Sequence, residues 1–124
     1  MTTIRRGLVV GILAVLGVGV GWGDVIRARV IHVADGDTFT VLWNGEPRVI
    51  RIRGIDAPET GQPFGTKAAW ALKTMVLDRT VTLRTYEQDR YGRTIADVEC
   101  GGVNVALSMV EQGLAYNYVR YSDD

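Results

Sequence analysis

Hydrophobic and polar positions alternate with a period of two along much of the chain between Asp24 and Cys100, as they do in β-strands with one buried face. The alternation predicts strands at residues 25–33, 38–43, 48–55, 81–86 and 94–100. Asn44-Gly45 separates the second and third strands, and this dipeptide is a strong signal for a two-residue hairpin. The first three strands are therefore predicted to form a meander.

Two other segments carry apolar residues at spacings of three and four, which is the pattern of helices with one buried face. The first covers residues 66–77, with Thr66 or Gly65 near its N-terminal cap. Asn104 is predicted to cap the second helix, and Gly113 is predicted to end it. Five strands, a helix between the third and fourth and a helix after the fifth predict an OB-fold, an α+β β-barrel with helices.

Residues 1–23 differ in composition from the rest of the chain. Arg5 and Arg6 precede an apolar, glycine-rich run with no charged residue up to position 23. A basic segment followed by an apolar segment is typical of a secretory signal peptide. Gly21 and Gly23 supply the small residues that signal peptidase accepts, so the pattern predicts cleavage near residue 23.

The alternative for this segment is an N-terminal membrane anchor that is not cleaved. A spanning helix needs about 20 consecutive apolar residues, and this run is shorter and interrupted by glycines. We therefore expect residues 24–124 to form one exported domain, secreted or periplasmic, with transient membrane contact through the signal. An uncleaved signal would instead leave the domain membrane-anchored.

The length and the net charge of the chain limit the classes of protein to which it can belong. The chain has 124 residues with 47% hydrophobic and 23% charged, which suits one globular domain. Without Arg5 and Arg6 it carries 12 basic and 14 acidic residues, a formal net charge of −2, so bulk attraction to polyanions is weak. Nucleic-acid binding would depend on locally placed arginines, whose guanidinium groups form paired phosphate contacts. The single cysteine, Cys100, excludes an intramolecular disulfide and is predicted to be a small core residue.

Carboxylates and an arginine are concentrated between Asp35 and Thr60. Asp37 begins the second predicted strand and Asp56 ends the third, and the hairpin between them brings these strands side by side. Taken alone, each aspartate is commonly a solvated or capping residue. Clustered carboxylates repel one another unless a cation lies between them, and oxygen ligands favour Ca²⁺ or Mg²⁺ over zinc. The cluster therefore indicates metal-assisted hydrolysis of a phosphodiester.

Four motifs occur in unbroken order: Asp35-Gly-Asp-Thr38, Arg51-Ile-Arg-Gly-Ile-Asp-Ala-Pro-Glu-Thr60, Asp89-Arg-Tyr-Gly-Arg93, and the segment from Asn104 to Ala115. Together they resemble the staphylococcal nuclease (thermonuclease) family over residues 25–121. The resemblance implies an OB-fold and a Ca²⁺-dependent endonuclease that cleaves DNA and RNA, prefers single strands and leaves 3′-phosphate ends. We expect a monomer with no obligate protein partner.

The resemblance also implies roles for individual residues. Asp37 and Asp56 would hold Ca²⁺ with the backbone carbonyl of Ala57, where the family often has threonine; a carbonyl ligand tolerates this change. Glu59 would act as general base or orient the attacking water, and Arg51 and Arg93 would bind the scissile phosphate and stabilise its developing charge. The candidate substrate-binding tyrosines are Tyr91, Tyr118 and Tyr121, with Tyr116 as a competitor for the C-terminal roles.

Two departures from the family pattern are visible. The loop after Glu59 is shorter than in the founding member, which would widen the substrate groove. The sequence stops at Asp124, so a C-terminal third helix is expected to be absent.

Two alternative functions stay open at this point. A catalytically inactive nucleic-acid-binding OB module would keep the barrel but lose catalytic residues, whereas this chain has the full set: Asp37, Arg51, Asp56, Glu59 and Arg93. A membrane-tethered interaction domain would keep residues 1–23 attached.

Overall fold

Five strands close into a barrel in the computed structural model, which describes residues 23–118. The predicted signal, apart from Gly23, and Tyr121 lie outside the described residues. The elements in chain order are β1 (Val25–Asp35), β2 (Thr38–Trp43), β3 (Glu46–Ile52), β4 (Ile55–Asp56), α1 (Gly65–Val76), β5 (Thr80–Gln88), β6 (Thr94–Cys100), β7 (Val103–Asn104), α2 (Val105–Glu111) and β8 (Tyr116–Asn117).

The barrel strands follow the order β3-β2-β1-β5-β6, and β3 also pairs with β6. Neighbours along this order are antiparallel, whereas the closing pair is parallel, with Arg51 opposite Ile95. This closure confirms the predicted five-stranded barrel with two helices. None of the helices within residues 23–118 is long and apolar enough to cross a membrane.

Two tight turns set the register of the meander. Asn44 and Gly45 have φ angles of 53° and 78°, the positive values that a type I′ hairpin requires, and they join Trp43 to Glu46 as predicted. The turn between β1 and β2 contains Gly36, which is buried. A Cβ atom at Gly36 would lie 2.7 Å from the Cβ of Ala68 in α1, so glycine allows the helix to pack against the turn that carries Asp37.

The third strand is shorter than the sequence pattern predicts. The prediction continued it to Ile55, but β3 ends at Ile52 and the chain turns at Arg53 and Gly54, where Gly54 has a φ of 83°. Ile55 and Asp56 form β4, which pairs with β8 instead. The prediction was wrong here because it did not treat Gly54 as a break in the strand, although the apolar positions change parity between Ile52 and Ile55.

The first helix begins at Gly65, one residue before the predicted start at Thr66. Phe64 is its N-terminal cap and makes no side-chain capping hydrogen bond. The second helix follows the prediction: the side chain of Asn104 accepts a hydrogen bond from the Leu107 N–H at 3.1 Å, and Gly113 follows the helix with a φ of 75°.

One hydrophobic core fills the barrel and continues under both helices. Its largest fully buried side chains include Phe39, Ile50, Ile52, Leu72, Leu83 and Met109. Cys100 belongs to this core, as predicted, and its thiol lies 3.4 Å from the carbonyl oxygen of Met75. The core therefore holds β3 and the β1–β2 turn rigidly, and both carry candidate functional residues.

Candidate active site

Two aspartates converge on one guanidinium group at the end of β3. The Nη2 atom of Arg51 lies 3.5 Å from Asp37 Oδ2 and 3.1 Å from Asp56 Oδ1. The two carboxylates come from different elements, since Asp37 precedes β2 and Asp56 ends β4. The sequence predicted this convergence, and the turn after β3 makes it possible.

The Arg51 side chain is fixed by backbone carbonyls as well as by carboxylates. Its Nη1 atom donates to the carbonyl oxygens of Ile52 at 2.8 Å and Ile55 at 2.7 Å. The guanidinium group therefore spans the corner between β3 and β4. Because the guanidinium group is planar and rigid, the two hydrogen bonds of Nη1 also fix the direction in which Nη2 points.

Asp37 is buried, with 6% of its surface exposed, and both of its carboxylate oxygens accept hydrogen bonds. Oδ1 accepts from the Thr38 hydroxyl at 2.8 Å, and Oδ2 accepts from the Ala57 backbone N–H at 2.9 Å. The bond to Ala57 ties the loop after β4 to the β1–β2 turn, so Asp37 organises the site as well as carrying charge into it.

The loop that carries Glu59 is held at three points. The Glu59 N–H donates to the Gln62 side chain at 2.7 Å, and Asp35 accepts from both the N–H and the hydroxyl of Thr60, at 3.0 and 2.9 Å. A Cβ atom at Gly65 would lie 1.8 Å from the Glu59 carbonyl oxygen, so glycine permits this close approach. The sequence analysis assigned no role to Asp35 or Gln62. The position of Asp35, directly before Gly36 in the turn, was a signal that its carboxylate could accept hydrogen bonds from a neighbouring loop.

A tight turn positions Arg93. Asp89 Oδ2 accepts a hydrogen bond from Arg93 Nε at 2.7 Å, and Asp89 Oδ1 accepts from the backbone N–H groups of Tyr91 and Arg93. Burial alone would raise the pKa of the Asp89 carboxyl, but these hydrogen bonds from Arg93 and Tyr91 outweigh it and hold the pKa below its ordinary value. Sequence reasoning did not identify Asp89 as the residue that orients Arg93.

A second cluster lies on the neighbouring strands. The guanidinium carbon of Arg53 is 4.4 Å from the centre of the Tyr86 ring, and Arg53 Nη1 is 3.4 Å from Asp97 Oδ1. The Tyr86 hydroxyl donates to Asp97 at 2.7 Å, and this bond, together with burial, raises the pKa of Tyr86. The cluster therefore links the residue after β3 to side chains on β5 and β6.

A polar cavity of about 290 Å³ lies at the candidate active site. It is lined by Asp35, Asp37, Thr38, Arg51, Asp56, Ala57, Glu59, Gln62 and Arg93. All of the predicted metal and catalytic residues are therefore gathered in one place, although their roles stay predictions.

The predicted substrate tyrosines do not line this cavity in the described part of the chain. Tyr91 is exposed beside it, with the guanidinium carbons of Arg90 and Arg93 each 5.3 Å from its ring centre. Tyr118 is exposed and its backbone N–H donates to the Gly54 carbonyl at 3.0 Å. Tyr121 lies outside the described residues.

The side chains that line the cavity offer oxygen atoms as possible metal ligands. Within residues 23–118 no group of three or more His, Cys, Asp or Glu side chains is arranged to hold a metal. The two converging carboxylates, Asp37 and Asp56, are nevertheless oxygen donors, and Ca²⁺ commonly completes its ligand shell with carbonyl oxygens and water. The residues present therefore fit a hard cation better than zinc or another soft metal.

Comparison with known proteins identifies relatives of this chain. A family model described as staphylococcal nuclease homologue matches residues 49–124. A protein named uncharacterized endonuclease from Haemophilus influenzae is 42% identical over 97 residues, which are 77% of this chain and 54% of that protein. A micrococcal nuclease from Shigella flexneri is 38% identical over 109 residues, covering 81% of this chain and 62% of that protein.

A probable staphylococcal-like nuclease from Oryza sativa subsp. japonica is 44% identical over 72 residues. The match covers 58% of this chain but only 22% of the plant protein. The chain thus spans about half the length of the bacterial relative from Haemophilus influenzae, at 54%, and a smaller part of the plant relative.

Asp89→Asn is predicted to destabilise the protein in a pH-dependent way. The pKa of Asp89 is about 3.9 in the unfolded chain and lower in the folded protein, so its carboxylate stabilises the folded state fully above about pH 4. That contribution is lost as the pH falls through the folded pKa. The variant should therefore be less stable than the parent at pH 7, and the difference in the free energy of unfolding should shrink in acid.

Urea unfolding of both proteins between neutral and strongly acidic pH measures this difference. Asp78→Asn is the control, because Asp78 is an exposed aspartate outside the Asp89–Arg93 turn. A difference between parent and Asp89→Asn that stays constant across the pH range would contradict the assigned role of the carboxylate.

Proposed function

Since the chain belongs to the staphylococcal nuclease family, we propose that it hydrolyses phosphodiester bonds of nucleic acids in the cavity around Arg51. The observation that carries the proposal is the meeting of Arg51 and Arg93 with Asp37, Asp56 and Glu59 in one polar cavity. Two guanidinium groups and an oxygen-rich wall suit a phosphate group that gains negative charge during the reaction.

The residues have distinct proposed roles. Glu59 takes a proton from the attacking water or orients it, because its loop is held by hydrogen bonds and the residue lines the cavity. Arg51 and Arg93 contact the non-bridging oxygens of the scissile phosphate and stabilise the charge that develops there. The hydrogen bonds to Asp89 and to the carbonyls of Ile52 and Ile55 orient these arginines before substrate binds.

Ca²⁺ is the proposed cofactor, held by Asp37 and Asp56 with the backbone carbonyl of Ala57. The bound cation would supply Lewis acidity toward a phosphate oxygen. It would also offset the repulsion between the two carboxylates, which the Arg51 guanidinium partly offsets already.

The proposed substrates are DNA and RNA, with single strands preferred and 3′-phosphate ends as products. The net charge of −2 without the N-terminal arginines gives little general attraction to either kind of strand, so binding would depend on Arg51 and Arg93 in the cavity. We further propose that the protein acts as a monomer without an obligate protein partner, since the cavity already contains both candidate arginines and all three candidate carboxylates.

Export is proposed from the sequence of residues 1–23, since Arg5 and Arg6 precede an apolar run that ends in Gly21-Trp22-Gly23. The mature protein should begin at or near Asp24 in the secreted or periplasmic fraction. Intact mass spectrometry of the exported protein measures the new N-terminus. Recovery of the uncleaved chain in membranes alone would support the tethered form instead.

Ca²⁺ is predicted to stabilise the folded protein as well as to support cleavage. A ligand that binds only the folded state at about 100 times its Kd raises the free energy of unfolding by about 2.7 kcal/mol. Thermal unfolding of the full chain in Ca²⁺ and in EDTA measures this effect without turnover, and cleavage of single-stranded DNA is followed under the same conditions.

Asp56→Asn should lose most of the stabilisation by Ca²⁺. Asp78→Asn is a matched control, because its side chain is 68% exposed, against 69% for Asp56, and is likewise paired with one arginine. Undiminished cleavage in excess EDTA would refute the cofactor proposal.

Arg51→Lys and Glu59→Gln are predicted to lower cleavage by about 100-fold, the order expected for losing one transition-state donor or a general base. Lysine keeps the positive charge of Arg51 but loses the planar fork. It also loses at least one of the two carbonyl bonds at the β3–β4 corner, so Arg51→Lys should in addition lower stability by about 1 kcal/mol.

Cleavage rate, oligonucleotide affinity and urea unfolding are measured for each variant. Glu59→Gln should keep affinity and stability, and Arg29→Lys, at an exposed ion pair on β1, is the control for the arginine substitution. Parental cleavage rates in both site variants would show that the site is wrongly assigned. A parent that binds single strands with Ca²⁺ but never cleaves them would be a binding module.

A further inference from the structure

A second groove, of about 510 Å³, adjoins the polar cavity. The two share Asp56, Ala57 and Gln62 in their linings, so they lie next to each other. The groove runs between the segment that enters α1 and the segment that enters β8. Its volume lies within the range of about 300–1,000 Å³ that is usual for small-molecule sites.

The walls of the groove differ in chemistry from the cavity. Beyond the shared residues they consist of Pro58, Pro63, Phe64, Gly113, Leu114, Ala115 and Tyr116. The described residues that line the groove include no lysine or arginine, and the Asp56 carboxylate would repel a phosphate, so an uncharged group suits this lining better. Its two aromatic side chains are widely exposed, Phe64 by 69% and Tyr116 by 80%.

The backbone holds Phe64 at the mouth of the groove in an unfavourable conformation. Phe64 has a φ of 66°, which is uncommon for a residue with a bulky side chain. The surrounding hydrogen bonds impose it: the Gly65 N–H donates to the Gln62 carbonyl, and the Ala68 N–H donates to the Phe64 carbonyl, each at 2.9 Å. Backbone strain of this kind is concentrated at functional sites, and here its result is an aromatic ring left in solvent.

Tyr116 is fixed to the candidate active site by strand pairing. It lies directly opposite Asp56 in the short β4–β8 sheet. Any group that rests against Tyr116 therefore lies close to the carboxylate that belongs to the polar cavity.

We propose that the groove binds the base of a nucleotide that flanks the scissile phosphodiester in a single-stranded nucleic acid, with Phe64 and Tyr116 as stacking surfaces. The inference rests on the proposed function, because the polar cavity places the phosphate. A base is uncharged and planar, as this lining requires, and every base has a face that can stack on an aromatic ring. The groove thus contributes affinity for single strands with little dependence on base identity.

Binding of a fluorescently labelled, nuclease-resistant oligothymidylate to the full chain tests the proposal without turnover. Phe64→Ala and Tyr116→Ala should each weaken binding about tenfold, the order expected for losing one stacked base. Trp70→Ala is the matched control, because Trp70 is 65% exposed on α1 and does not line the groove; it should change affinity less than twofold. Phe64→Tyr and Tyr116→Phe keep a ring and should bind as the parent does.

An otherwise identical oligonucleotide without bases separates stacking from phosphate contacts. The parent should bind it more weakly than oligothymidylate, and Phe64→Ala should weaken its binding no further. Groove variants that bind oligothymidylate as tightly as Trp70→Ala would overturn the proposal, and so would an equal loss in all three alanine variants. Failure of the proposed hydrolysis is seen separately, as a parent that binds the probe but cleaves no unprotected strand.

Discussion

The Arg51 guanidinium group is the interaction on which the rest of the site depends. One of its nitrogens binds the carbonyls on either side of the turn after β3, and the other lies between the carboxylates of Asp37 and Asp56. The same side chain therefore shapes the backbone and balances the charges. Because the Arg51 and Asp37 side chains are only 14% and 9% exposed, the contact between them is weakly screened by water, whereas Asp56, at 69% exposed, pairs with Arg51 at the surface.

The turn at Arg53 and Gly54 determines that the polar cavity and the second groove lie next to each other. It takes Asp56 out of the barrel sheet and pairs it with Tyr116, which places a carboxylate and an exposed ring on two adjoining strands. The loop that follows is held by Asp35 and Gln62 before it enters α1 at Phe64. The cavity proposed to hold the phosphate and the groove proposed to hold a base thus both depend on one short departure from the barrel.

Much of the fold followed from local sequence signals. The bounds of β2 and β6, the Asn44-Gly45 hairpin and the cap and end of α2 match the predictions, because each depends on residues close together in the chain. The resemblance to the staphylococcal nuclease family also identified the two arginines and three carboxylates that meet in the cavity. It did not identify Asp89 or Asp35, since their hydrogen bonds orient other residues and leave no periodic pattern.

The sequence by itself determined which residues alternate between core and solvent, where the Asn44-Gly45 hairpin lies and which side chains are available for phosphate chemistry. The tertiary structure decided where β3 ends, that Ile55 and Asp56 pair with a strand some 60 residues later, and that Phe64 begins α1 with a positive φ. The physical reason is the range of the interactions. Periodicity reports the burial of each position, whereas the Arg51 corner and the β4–β8 pair are set by contacts between segments that become neighbours only when the barrel closes.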